Sequence, residues 1–158
     1  MFNILILCTG NSARSILAEA IFNRDGADWV RAHSAGSNPT GVVHPEALRL
    51  LAAKGMATRG YRSKSWNEFA GPGAPRMDLV ITVCGSAAGE VCPVWPGAPL
   101  TCHWGLDDPA SAPPDQIAVA FQIAYHTLSS RINAFLALPF EQLDGESLQR
   151  RLNDIGRS

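Results

Sequence analysis

The feature that most constrains the fold is an alternation of short apolar runs with longer segments of helical periodicity. Phe2–Leu7 (FNILIL) is almost continuously apolar, as a strand covered on both faces should be. Residues 12–24 follow with apolar side chains at helical spacing, and Asp25-Gly26 supplies a stop signal. Strands that alternate with helices predict a mostly parallel sheet built from strand–helix–strand units.

The same patterns predict the remaining elements. They are strands at 30–34, 77–84 and 100–104, helices at 45–54, 113–138 and 141–155, and a helical turn at Trp66–Phe69. We therefore expect an α/β fold with four strands. A length of 158 residues fits a single domain over residues 1–158.

Charge and hydropathy exclude several kinds of partner. A net charge of −1 gives no basic footprint for nucleic acid or for a membrane surface. No run approaches the ~18 apolar residues that span a bilayer, and the N-terminal run lacks the basic start of a signal peptide. We therefore expect a cytoplasmic protein, in a compartment where thiols stay mostly reduced.

The chain contains four cysteines, at positions 8, 84, 92 and 102. None of them forms a C-x-x-C pair, and no histidine stands at a zinc-finger interval from them. The spacing therefore predicts no metal site. Catalytic or redox roles are the better interpretation of these thiols.

The segment between the first strand and the first helix has the composition of an anion-binding loop. Five residues separate Cys8 from Arg14, and Gly10 and Asn11 between them tolerate unusual backbone angles. The predicted loop consists of Thr9, Gly10, Asn11, Ser12, Ala13 and Arg14. Backbone N–H groups at a helix N-terminus bind tetrahedral anions, and an arginine can hold two of the anion's oxygens.

The same loop is expected to make Cys8 a nucleophile. Thiol pKa values fall at helix N-termini and beside arginine, so the Cys8 thiolate should be stabilised. Ser15 is positioned to donate a hydrogen bond to the Cys8 sulfur. The plainer alternative is a small buried cysteine that ends a strand and precedes a polar helix cap.

A second motif, Asp107-Asp108-Pro109, follows the last predicted strand. Attack on a phosphate-like centre needs an acid that protonates the leaving oxygen, and Pro109 stiffens the backbone that carries Asp108. An ordinary Asx-type turn is the structural alternative. Cys8, Cys84 and this motif all follow strands, so they should meet at one edge of the sheet.

Taken together, these motifs resemble a known superfamily. CTGNSARS near the N-terminus, SAG at 34–36 and the later DP dipeptide look like the low-molecular-weight protein tyrosine phosphatases, and more closely their arsenate reductase branch. The resemblance covers nearly the whole chain. It implies a low-molecular-weight phosphatase-like, three-layer sandwich around a central four-stranded, mostly parallel sheet.

The resemblance also implies a thiol relay. Cys8 would attack arsenate, Cys84 would attack Cys8 and release arsenite, and Cys92 would then attack Cys84. Thioredoxin, favoured here, or glutathione with glutaredoxin would recycle the enzyme. Phosphate and sulfate would compete with arsenate, no organic cofactor would be needed, and the protein would act as a monomer.

Two other functions remain open. A tyrosine phosphatase would use Cys8, Arg14 and Asp108 through a phosphocysteine intermediate and would not need Cys84 or Cys92. Against it, Ala110 stands where those phosphatases tend to carry a tyrosine. A non-catalytic anion-binding module is the third possibility, and the intact Cys8, Arg14 and Asp108 set argues against it.

Some members of the branch bind potassium beside the anion loop. Asn11, Glu19 and Ser34 match that pattern, but Lys64 falls near a position expected to supply an oxygen ligand. A lysine ammonium can occupy the place of the cation, so we predict weak or no potassium dependence. Cys102 fits no step of the relay and is interpreted as a structural residue.

Overall fold

The computed structural model describes residues 1–85 and 95–158. Its centre is a parallel sheet with the strand order β2-β1-β3-β4. The strands are β1 (Phe2–Leu7), β2 (Val30–Ala35), β3 (Leu79–Thr82) and β4 (Leu100–His103). The predicted α/β class and the four-stranded parallel sheet are confirmed.

Four α-helices lie in the described ranges. They are α1 (Arg14–Asp25), α2 (Pro45–Ala53), α3 (Ile117–Leu136) and α4 (Gly145–Gly156). Short 3-10 turns occur at Trp66–Phe69 and Pro109–Ser111. Within the described residues, no helix combines the length and the apolar character needed to cross a bilayer.

The four helices share the main core with one face of the sheet. Helices α1 and α4 contact the strands, and α2 packs on α1 and α3. Alternate residues of β1, such as Ile4 and Ile6, point into this core, whereas Leu5 and Leu7 point to the other face. There they contact a smaller cluster that includes Phe69 and Trp95. Burial on both faces explains why the β1 sequence is a continuous apolar run.

Several element boundaries differ from the prediction by a few residues. Helix α1 begins at Arg14 rather than at residue 12, because Asn11 adopts a left-handed conformation (φ 45°) and keeps the preceding residues in the loop. Strand β3 ends at Thr82, so Cys84 lies beyond the strand. Helix α4 begins only at Gly145, where the Asp144 carboxylate accepts a hydrogen bond from the Ser147 N–H at 2.7 Å.

Parallel strands bring their carboxyl ends to the same edge. Cys8 follows β1, Cys84 follows β3 and the Asp107-Asp108 pair follows β4. Since these three strands are neighbours in the order β1-β3-β4, the predicted chemical groups lie along one edge of the sheet.

Candidate active site

The loop after β1 is held from outside through its carbonyl groups. Backbone N–H groups of segment 38–44 donate to the carbonyl oxygens of Thr9, Gly10 and Ser12 at 2.9–3.0 Å. Within the described part of the chain, the N–H groups of residues 11–15 have no acceptor. The loop therefore offers a row of backbone donors at the N-terminus of α1, which suits an anion.

Asn11 fixes the shape of this loop from within. Its side-chain amide is fully buried, donating to Ser15 Oγ at 2.8 Å and accepting from the Lys64 N–H at 2.9 Å. Among the described residues, the Ser15 hydroxyl takes part only in the hydrogen bond from the Asn11 amide. The hydrogen bond predicted from Ser15 to the Cys8 sulfur therefore stays a prediction.

Gly36, from the SAG motif, lets the backbone of β2 approach the loop. A Cβ atom at this position would overlap the carbonyl oxygens of Cys8 and Thr9. The Gly36 N–H donates to the Lys64 carbonyl at 2.9 Å, so segments 34–36 and 63–65 brace the loop together. Only glycine allows this close approach.

Arg14 lies at the start of α1 and is mostly buried, with 13% of its side chain exposed. Its Nη1 donates to the Leu106 carbonyl at 2.8 Å, and its Nη2 lies 3.8 Å from Asp108 Oδ2. Its Nε is buried without a hydrogen-bond partner among the described residues. A buried donor of this kind is costly, and an oxyanion in the loop would satisfy it.

Asp108 lies in a short turn and faces Arg14. It caps the Pro109–Ser111 turn, accepting from the Ala110 N–H at 3.0 Å and from Ser111 Oγ at 3.2 Å. Its side chain is 39% exposed and faces Arg14. The structure therefore contains the Asx-type turn, and within this turn the Asp108 carboxylate faces Arg14 of the anion loop.

Cys84 lies directly beside the loop. Its sulfur accepts a hydrogen bond from the Thr9 N–H at 3.3 Å and lies 3.6 Å from Thr9 Oγ1. Cys84 is near enough to the Cys8 thiol to shift its pKa, and both cysteines are buried. The structure therefore brings the first two thiols of the predicted relay close together.

Two further influences act on the pKa of Cys8. The interaction with Cys84 raises the pKa of the Cys8 thiol above its ordinary value, and burial raises it further. The Arg14 charge and the Gly10 N–H lower it, as the loop was predicted to do, but they are outweighed. The prediction named the effect of the loop correctly and did not include the effects of Cys84 and of burial.

The predictions for the other two cysteines fare differently. Cys92 falls in 86–94 and so lies outside the described residues. Cys102 is buried on β4, where burial raises the pKa of its thiol to about 12. It packs into the helical core, which agrees with the structural role predicted for it.

Next to the loop is a buried charged cluster. Ser34 Oγ donates to Glu19 Oε1 at 2.5 Å, and Lys64 Nζ lies 3.8 Å from the same oxygen. Burial raises the pKa of Glu19, although the Ser34 bond and the Lys64 charge oppose the rise, and burial lowers the pKa of Lys64. The Lys64 ammonium thus lies among the residues that matched a potassium pattern.

An open cavity of about 540 Å³ borders the site. Its described lining comes from loop 106–112 on one side and from the face of α3 that carries Ala120 and Ile123 on the other. Asp108 is part of this wall and also faces Arg14. Asp108 therefore lies between the wall of the cavity and the Arg14 side chain.

Comparison with known proteins agrees with this geometry. Residues 3–150 match the family model described as low molecular weight phosphotyrosine protein phosphatase. An arsenate reductase from Halalkalibacterium halodurans is 38% identical over 109 residues, which cover 69% of this chain and 75% of that protein.

Solved structures of the same two kinds of protein are similar to this chain. An arsenate reductase in its phosphate-binding state has 26% sequence identity and a TM-score of 0.68, covering 87% of this chain and 98% of its own. A low-molecular-weight protein tyrosine phosphatase from T. tengcongensis has 25% identity and a TM-score of 0.68, covering 84% and 96%.

Proposed function

Because the chain belongs to the low molecular weight phosphotyrosine protein phosphatase family and has arsenate reductases among its relatives, we propose that it reduces arsenate to arsenite. The observation that carries this proposal is the position of the Cys84 thiol, which lies beside the anion loop, bonds to the Thr9 N–H and acts on the pKa of Cys8. A hydrolase would need the first thiol only. Reduction of an oxyanion by thiols needs two of them, because each contributes one electron to the disulfide.

Arsenate would bind in the loop at residues 8–14. The N–H groups of residues 11–15 and the unpartnered Nε of Arg14 would take its oxygens. Phosphate and sulfate have the same tetrahedral shape and would compete. Arg14, held by the Leu106 carbonyl, would need little reorganisation to meet the anion.

The first chemical step forms a bond between the Cys8 sulfur and arsenic. The hydroxyl oxygen of hydrogen arsenate leaves as water, and its extra proton comes from the Cys8 thiol through Asp108. A raised pKa for Cys8 fits this route, because the thiol enters the reaction carrying that proton. Asp108 acts as the acid of the step and Arg14 balances the charge that develops on the arsenate oxygens.

The second step releases the product. The Cys84 sulfur attacks the Cys8 sulfur, the sulfur–arsenic bond breaks, and its electron pair stays on arsenic, so that arsenic(V) becomes arsenic(III). The Cys84 proton passes to an arsenite oxygen. Cys92 then attacks Cys84, and Cys8 leaves as a thiol with the Cys92 proton. A thioredoxin-type dithiol, favoured over glutathione with glutaredoxin, would supply two electrons and two protons to the final disulfide.

The test compares arsenite formation with aryl phosphate hydrolysis in four proteins. They are the wild type and the variants Cys84→Ser, Cys92→Ser and Cys102→Ser. With thioredoxin, its reductase and NADPH, arsenite turnover should fall on the order of 100-fold or more in the first two variants. Cys102→Ser removes a buried thiol outside the site, so it should keep the wild-type rate and serves as the matched control.

Two results would contradict the proposal. One is wild-type arsenite turnover in Cys84→Ser. The other is efficient aryl phosphate hydrolysis without any arsenite formation, which would identify the chain as a phosphatase acting through Cys8, Arg14 and Asp108.

A further inference from the structure

A second arginine holds the segment that leads from β4 to the acid. Arg131 lies on α3 and is only 7% exposed. Its Nη1 donates to the carbonyl oxygens of Trp104 and Gly105, both at 3.1 Å, and its Nη2 donates to the backbone oxygen of Ser158 at 3.1 Å. Arg131 thus ties α3 and the end of α4 to the start of this loop.

One peptide group of this loop is held at both of its ends, and Arg131 holds one of them. The peptide between Gly105 and Leu106 has its oxygen held by Arg131, and its N–H donates to the Val83 carbonyl at 3.3 Å. The next carbonyl along the chain, that of Leu106, accepts from Arg14 at 2.8 Å. Two arginines from different helices therefore bind consecutive carbonyls of the same loop.

Packing alone does not explain a guanidinium in this place. Arg131 Nε is buried without a hydrogen-bond partner among the described residues, and burial lowers the pKa of the group. Burying this charge costs stability, and hydrogen bonds to three main-chain oxygens offset that cost while leaving Nε without an acceptor among the described residues. What the guanidinium supplies, and an apolar side chain does not, is a fixed direction for the two carbonyls.

We propose that Arg131 is a positioning residue, which orients the Leu106 carbonyl and through it aims Arg14 at the bound oxyanion. This inference rests on the proposed function, since it assigns a task within the same site. Arg131 does not touch the anion. Its loss would let the Gly105–Leu106 peptide rotate, and Arg14 would lose the acceptor that fixes its Nη1.

The test measures the affinity for inorganic phosphate by titration calorimetry, together with kcat and KM for arsenate. Arg131→Met should weaken phosphate binding about tenfold and raise KM by a similar factor, because a misdirected charged hydrogen bond costs about one such factor. Arg131→Lys should recover part of the affinity. The change in kcat should be smaller, because the thiols stay close together.

Phe135→Leu is the matched control, because it weakens the core on the same helix without touching the loop. It should leave the phosphate affinity within about twofold of the wild type at a temperature where all variants are folded. Wild-type phosphate affinity in Arg131→Met would overturn the inference, and so would an equal loss of affinity in Phe135→Leu. A wild type that binds phosphate but forms no arsenite would refute the proposed function while leaving this measurement intact.

Discussion

At the scale of single residues, two opposing influences act on the pKa of the Cys8 thiol. The positive groups of the loop favour the thiolate, whereas the Cys84 thiol and burial favour the protonated form. The balance falls on the protonated side because the interaction with Cys84 is the largest contribution. The protonation of this thiol therefore depends on a neighbour 76 positions later in the chain.

This balance predicts the effect of removing Cys84. In Cys84→Ala the largest cause of the rise is gone, so the pKa of Cys8 should fall and the pH midpoint of its alkylation by iodoacetamide should move down by at least about one unit. Mass spectrometry of the labelled peptide would assign the reaction to Cys8. Cys102→Ala is the control and should leave the midpoint in place. A midpoint that is unchanged in Cys84→Ala would show that burial alone sets this pKa.

Residue types allowed part of the site to be predicted, and the residues that were missed were missed for a physical reason. Cys8, Arg14 and Asp108 carry side chains with distinctive chemistry at a recognisable spacing, and the structure brings them to one edge. The Leu106 carbonyl and Arg131 were not predicted. Every residue has a backbone carbonyl, so no sequence signal marks Leu106, and an arginine inside a helical pattern is usually solvent-exposed.

At the scale of elements, helix α1 and segment 63–65 are joined by the buried pair of Glu19 and Lys64. The two side chains are 14% and 9% exposed, so solvent screens their charges little. Removing one partner of such a pair leaves the other charge buried and uncompensated.

We expect Lys64→Met to lower the free energy of unfolding by about 3 kcal/mol at pH 8, with a smaller loss at pH 5. The pKa of Glu19 is already raised by burial, and loss of the lysine charge raises it further. The cost of the buried carboxylate is therefore present above that pKa and disappears as the group takes up a proton. Urea unfolding at the two pH values checks this, with Lys54→Met as an exposed control. An equal loss at both pH values would contradict it.

The same pair underlies the expected response to potassium. With the Lys64 ammonium beside Glu19 and Ser34, replacing sodium by potassium in the wild type should change KM for arsenate less than about twofold. A larger stimulation by potassium would mean that the lysine leaves this position when the cation binds.

Elements themselves were predicted better than their ends. Each strand and helix assigned from periodicity has a counterpart in the described residues, because burial imposes a period on the sequence. The ends depend on single groups instead. The left-handed Asn11 delays α1, and the Asp144 cap delays α4, and both effects depend on local hydrogen bonds that a hydrophobic pattern does not contain.

At the scale of the whole molecule, a cluster of four phenylalanine rings joins the sheet to the helices. The Phe135 ring stacks on Phe140 at 4.7 Å between centroids and contacts Phe2 and Phe22 at 6.0 Å. These rings come from β1, from α1, from α3 and from the connection after α3. The strand order β2-β1-β3-β4 was not predicted, because the apolar pattern of a strand does not show which strands lie next to it.

We expect Phe135→Ala to lower the free energy of unfolding by about 3–5 kcal/mol, because it empties a fully buried site in this group. Ile123→Ala on the same helix is the control, since that side chain is 61% exposed, and should cost less than about 0.5 kcal/mol. Urea titrations followed by circular dichroism measure both. Similar losses in the two variants would contradict the expectation that burial of the Phe135 ring sets its contribution to stability.

The proximity of Cys8 and Cys84 also bears on how the protein survives between turnovers. Peroxide oxidises thiolates far faster than thiols, and the later products of that oxidation are irreversible. A Cys8 thiol that carries its proton would enter this series of oxidations slowly. If Cys8 were oxidised to the sulfenic acid, the nearby Cys84 thiol would condense with it to a disulfide, the form that a thiol reductant restores. We therefore expect Cys84 to protect Cys8 from irreversible oxidation.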